Sequence, residues 1–186
     1  NIHVIWTRNT QHLYYTMLDP RAQTVIDVTQ ISNGGGHRAW HPDVAIDSED
    51  RIHVTWANKA SQHEILYTLL DPSLDDQDGS SADDGTISII EDTEVVRRQQ
   101  NRDWPAIAVD SQDNAHIVWE DSYDRHDKYF QQPQIYYKFL EIDEASREAI
   151  TAIDSTLLTP IIGHKGHPDI AIDADDLVQI AWDDTR

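Results

Sequence analysis

The segment HPDVAIDSEDRIHVTW (residues 41–56) returns twice, as WPAIAVDSQDNAHIVW (residues 104–119) and HPDIAIDADDLVQIAW (residues 167–182), and the chain opens on a partial copy, NIHVIW. Each copy reads as two short strands. A Pro-started run of small and branched apolar residues leads into a tight Asp/Ser/Asn turn, and a β-branched run follows that ends in Trp. A third strand comes next, HLYYTMLDP, EILYTLLDP or QIYYKFLEID, aromatic and β-branched, ended by Asp-Pro in two copies. A less regular fourth strand completes the unit as TVIDVTQ (24–30), TISIIED (86–92) and TAIDSTLL (151–158).

Four antiparallel strands recurring from Trp6 to Trp56, Trp119 and Trp182 predict an all-β fold, a β-propeller of four-stranded antiparallel blades. The blades divide as 1–33 (partial), 34–98, 99–162 and 163–186 (partial). The expected strands number three, four, four and two. That is three blades and part of a fourth, whereas a ring usually needs at least about four blades to close. The remaining blades are expected from a longer polypeptide or from another copy of the chain, and the start inside a strand without Met agrees with a segment. Brief helical character is expected only near residues 141–149.

Composition narrows the partners. The formal charge of −20 repels a phosphate backbone, so no nucleic-acid partner is expected. No apolar run approaches the ~20 residues needed to span a bilayer, which predicts no membrane insertion. Cysteine is absent, excluding disulfides, thiolate zinc sites and cysteine nucleophiles. An extracellular or cell-surface location is expected for such a repeat protein.

The pattern P-D-[VI]-A-[IV]-D, a turn, [IL]-H-V-x-W and then I-x-Y-[ST] resembles the propeller repeats grouped with the sialidase-like, Asp-box-related proteins, over nearly the whole chain. An Asp box proper, S-x-D-x-G-x-T-W, is absent: the segment from Ser48 to Trp56 is one residue longer and has no Gly. The resemblance implies a propeller and, for its enzymes, an arginine cluster holding a carboxylate-bearing ligand beside a Tyr nucleophile and acidic partners.

Ligands are expected on the face reached by the loops that open each blade, at residues 34–43, 99–106 and 163–169. Each loop carries a cation, Arg38, Arg102 or Lys165, and an imidazole or indole just before Pro, namely His41, Trp104 or His167. Trp40 and Trp104 stand outside the strand pattern and suit stacking on a ligand, and Asp103 adds a carboxylate. His37, His63, His126 and His164 join His41 and His167 as imidazoles on this face, which a metal-dependent enzyme would use. Non-repeating acidic and Tyr residues, the mark of an asymmetric catalytic site, are Asp103, Asp121, Tyr123 and Asp124; no catalytic residue is assigned. The insert holding Asp76, Asp78, Asp83 and Asp84 partly matches an oxygen-rich calcium loop without its terminal Glu, so Ca²⁺ is the one candidate cofactor.

The function read from these features is a non-catalytic binding or scaffold propeller that recognises a glycan, peptide or protein. The alternatives are a sialidase-like glycoside hydrolase with Arg38 and Arg102 as anion holders, or a metal-dependent propeller enzyme using His41 and His167.

Overall fold

The computed structural model describes residues 1–32, 38–60, 63–74, 87–96, 101–122, 132–143, 145–159 and 163–185. Its strands fall in four antiparallel sheets. The first holds β1 (Ile2–Arg8), β2 (His12–Leu18) and β3 (Thr24–Gln30). The second runs β4 (Ala39–Ile46), β5 (Ile52–Asn58), β6 (Glu64–Leu70) and β7 (Ser88–Val96). The third runs β8 (Asn101–Val109), β9 (Ala115–Ser122), β10 (Gln134–Asp143) and β11 (Glu148–Leu157), and the last pairs β12 (His164–Ile172) with β13 (Val178–Thr185). Every sheet is a meander in which chain neighbours pair, so the four-stranded propeller blade expected from the repeat is what forms.

Blades stack through apolar layers. Tyr15, Ile26, Val54 and Trp56 fill the layer between the first and second sheets. Tyr67, Ile90, Ile117 and Trp119 fill the next, and Ala106, Val118, Ile135 and Ile170 the last. The strands β4, β8 and β12 lie side by side at the centre of the array.

Two devices recur at opposite ends of these inner strands. At the start, a residue in the left-handed region precedes Pro: His41 (φ 47°), Trp104 (48°) and His167 (48°). A bulge interrupts the pairing at each place, between Trp40 and Asp43, Asp103 and Ala106, and Gly166 and Asp169. Proline cannot donate to a ladder, and the bulge removes that demand. Left-handed backbone at a bulky residue before Pro is costly, by about 1–3 kcal/mol, and persists where the surroundings impose it.

At the other end, Asp47, Asp110 and Asp173 each fold an Asx turn. Asp47 Oδ1 accepts from the N–H groups of Glu49 and Arg51, both at 2.9 Å, and the other two repeat this. Within the sheet the same aspartate meets a histidine that also meets a tyrosine. His53 lies 3.1 Å from Asp47 and 2.9 Å from the Tyr67 hydroxyl, and His116 joins Asp110 and Tyr137 likewise. Burial works against the Asp47 carboxylate, but hydrogen bonds from His53, Arg51 and Glu49 outweigh it and hold its pKa well below the usual range.

One expectation fails here. Among the described residues of 141–149 none is helical; β10 ends and β11 begins there, and Asp143 accepts from the N–H groups of Ala145 and Ser146. Cross-strand pairing with a whole blade overrides the helical propensity of a Glu/Ala/Arg run.

Candidate functional site

The bulges at the starts of β4, β8 and β12 gather side chains from neighbouring blades onto one face. The His41 and Trp104 rings stack with centroids 3.6 Å apart and planes 14° apart. His167 meets the same indole edge-on at 4.5 Å. The three left-handed residues thus form one aromatic row across three blades. Trp40 lies beside His41, with centroids 5.8 Å apart, and both Trp40 (36%) and Trp104 (38%) remain exposed.

Carboxylates border this row. Asp103 Oδ1 accepts from His41 Nδ1 at 2.6 Å and from the Trp104 N–H at 3.1 Å, and Oδ2 accepts from Lys59 Nζ. The Lys59 ammonium also sits 5.0 Å over the Trp40 ring, a cation–π contact. Glu120 stands directly opposite Asp103 in the β8–β9 pairing, and its Oε2 accepts from the His167 N–H at 3.3 Å. Burial lifts the Glu120 pKa above its ordinary value; the His167 N–H pulls it back, and the Asp103 charge adds to the lift. A Cβ on Gly166 would come within 2.8 Å of Glu120 Oε2, so glycine there leaves the space this carboxylate occupies.

Asp43 sits deeper and joins β4 to β8 by accepting from the Ile107 N–H at 2.9 Å. Burial raises its pKa too, against the pull of the Ile107 and Val44 N–H groups, with Asp169 adding to the rise. His167 Nδ1 meets Asp183 Oδ2 at 3.0 Å at the solvent side of the row.

The candidate residues therefore separate. Trp40, His41, Asp103, Trp104 and His167 come together. Arg102 and Lys165 do not face solvent: Arg102 is buried with its Nε 2.9 Å from Asp121, and Lys165 is buried with its Nζ 2.8 Å from Asp184. The pairing register explains both, since Arg102 lies opposite Asp121, Lys165 opposite Asp184 and, in the second sheet, Ala39 opposite Asn58. Arg38 thus stands one position earlier than the other two cations; it is exposed, and its backbone N–H donates to Asn58 Oδ1 at 3.0 Å. Asp121 belongs to the ion pair with Arg102. Glu120 was not singled out from the sequence, although its repeat position, just after the strand-ending Trp, holds Ala57 and Asp183 in the neighbouring copies and so marks a non-repeating residue.

His37, Tyr123, Asp124 and His126 lie outside the described residues, as does the whole candidate calcium loop with Asp76, Asp78, Asp83 and Asp84. Among the described residues no group of three His, Asp or Glu side chains is arranged to hold a metal ion, and no helix is long and apolar enough to cross a membrane.

The sequence matches no known family description and no curated protein. Solved structures do match in shape. An endo-arabinase from Bacteroides thetaiotaomicron VPI-5482 superposes with a TM-score of 0.51 at 12% identity, over 96% of this chain and 68% of its own. The fold is a β-propeller. An exo-1,5-α-L-arabinanase from a bovine ruminal metagenomic library is similar at a TM-score of 0.48 and 9% identity, over 96% of this chain and 67% of its own. At such identity the likeness extends to the fold, and the resemblance to sialidase-like repeats reduces to the same architecture.

Proposed function

We propose that this propeller acts on carbohydrate at the His41–Trp104 face, as a glycoside hydrolase with Glu120 as its proton donor and Asp103 as its second carboxylate. One observation carries the reading. Where the repeat would put like residues in each blade, this chain varies: Trp40, Asp103 and Gly166 share one position, and Ala57, Glu120 and Asp183 share another. Asp103 and Glu120, from those two positions, face each other next to an exposed aromatic row.

The chemistry suits a sugar better than a peptide or protein. Flat rings stack on the C–H face of a sugar, and carboxylates beside them bind hydroxyls. Glycosidic cleavage needs one carboxyl that keeps its proton and another that does not share its surroundings. Burial favours the protonated form of Glu120, whereas a lysine lies against Asp103. A polysaccharide substrate would put the protein outside the cell or on its surface.

The test is sugar release and sugar binding measured side by side on a panel of polysaccharides, with arabinan first. Glu120→Gln is expected to cut release at least about a hundredfold while binding stays within about twofold. Release by the unaltered protein should fall as pH rises through the raised pKa of Glu120, because the donor must hold its proton. Neither release nor binding on any glycan would overturn the reading.

A second reading, glycan recognition without cleavage, draws on the recurrence of the row itself. His41, Trp104 and His167 repeat the same strained backbone in three blades, as a platform shared between blades does. Binding without release, unchanged in Glu120→Gln, would select it.

A further inference from the structure

His41 and Asp103 come from neighbouring blades and meet as an oriented pair. Asp103 Oδ1 accepts from His41 Nδ1 at 2.6 Å and from the Trp104 N–H at 3.1 Å, and Oδ2 accepts from the Lys59 ammonium. A carboxylate beside an ammonium only accepts, so His41 Nδ1 is the donor and the lone pair of the ring lies at Nε2. Nε2 has no partner among the described residues, and the His41 side chain is 26% exposed.

Two further constraints hold the ring. Its backbone stands at φ 47° before Pro42, and its face lies on the Trp104 indole with centroids 3.6 Å apart. Strained backbone of this kind persists where the surroundings over-determine it, and it fixes how the side chain leaves the strand. His167 offers the contrast. It shares the backbone and lies 3.0 Å from Asp183, but these two side chains are 53% and 74% exposed, and no lysine or arginine pairs with Asp183 among the described residues. Asp103 is itself crowded, because its three donors draw on the lone pairs that a base or nucleophile would use. Glu120 stands opposite Asp103 on β9, whereas His41 reaches Asp103 from β4.

We infer that His41 is a further catalytic residue of this face, a general base whose Nε2 deprotonates the attacking water while Asp103 orients the ring. The inference deepens the hydrolase reading above and rests on it. Glu120 remains the proton donor, and Asp103 is a positioning residue that acts through the imidazole. In the step, Nε2 takes a proton from water as the water oxygen bonds to the anomeric carbon. The glycosidic C–O bond breaks with its electron pair on the leaving oxygen, and that oxygen takes the Glu120 proton. Exchange with solvent then returns a proton to Glu120 and removes one from His41.

Chemical rescue is the test, on the polysaccharide that the unaltered protein cleaves. His41→Gly suits the left-handed backbone and leaves a ring-sized gap between Trp104 and Asp103. Sugar release is expected to fall at least about a hundredfold, and added imidazole to raise it again, saturably, by at least about tenfold. 1-Methylimidazole, a base with no N–H for Asp103, is expected to restore none, and imidazole to leave Glu120→Gln unchanged. Should the glycine variant fold poorly, His41→Asn, which also tolerates positive φ, is expected to show the same loss. Retained release in either variant, or a loss in His41→Gly that imidazole does not restore, overturns the base assignment and leaves the hydrolase reading standing. Equal rescue by both imidazoles overturns the orienting role of Asp103. No release by the unaltered protein overturns the hydrolase reading itself, and this assignment with it.

Discussion

Trp119 and Trp182 close the same strand motif one repeat apart, yet Trp119 is wholly buried and Trp182 is 41% exposed. The contrast extends along the strands. Every residue of β5 is buried, whereas most of β13 is exposed, and β1 lies between the two. Local sequence does not distinguish these strands; what differs is whether a blade stands on each side. In a repeat array each unit buries its faces only against its neighbours, so stability is held in the interfaces.

Large-to-small changes at the paired tryptophans should break this contrast most visibly. Trp119→Ala is expected to cost about 3–5 kcal/mol and Trp182→Ala less than about 1.5 kcal/mol, read as shifts of the urea midpoint. Equal losses would mean that the last sheet is as enclosed as the third.

The turn networks come next. Asp47 is held by buried Arg51 and His53, so Asp47→Asn should cost about 3 kcal/mol, whereas the half-buried Asp173, bonded to the exposed Gln179, should matter far less. The pH dependence follows from the sign of the shift. Because folding lowers the pKa of Asp47, its contribution is complete above the ordinary carboxylate value and is lost as pH falls below it. Acid unfolding of Asp47→Asn should accordingly be shallower below about pH 4 than that of the unaltered protein.

The smallest effects belong to the turn serines that clamp neighbouring blades, Ser48 donating to Asp113 at 2.8 Å and Ser111 to Asp176 at 2.6 Å. Ser48→Ala and Ser111→Ala should each cost about 1 kcal/mol, and together about twice that, since the two sites share no partner. A clear inequality between them would show that the two interfaces, though drawn alike, are unlike in tightness.

The repeat made the fold legible, because the strand-turn-strand pattern and the period both follow from backbone geometry and burial. The site was less legible. Arg102 and Lys165 read as ligand-binding cations because they stand near the loop prolines; their real partners, Asp121 and Asp184, lie across the strand pair. That pairing was written in the copies themselves, where Arg102, Lys165 and Ala39 face Asp121, Asp184 and Asn58, but reading it requires the register that the bulge offsets. Glu120 was hidden for a related reason. It continues a strand that otherwise repeats, and only the packing of His167 and Gly166 against it shows that its carboxyl is lodged between blades. The stacking of His41 on Trp104 joins residues 63 positions apart through a backbone conformation that no propensity would assign to them.

The most direct test of a carbohydrate site on this face is a crystal structure of the Glu120→Gln protein with a bound oligosaccharide. The expected result is a sugar ring on the exposed face of Trp104 or Trp40, with a glycosidic oxygen within hydrogen-bonding distance of the residue at position 120. A sugar bound on the outer strands or beside the Asx turns, with the aromatic row empty, would contradict the account.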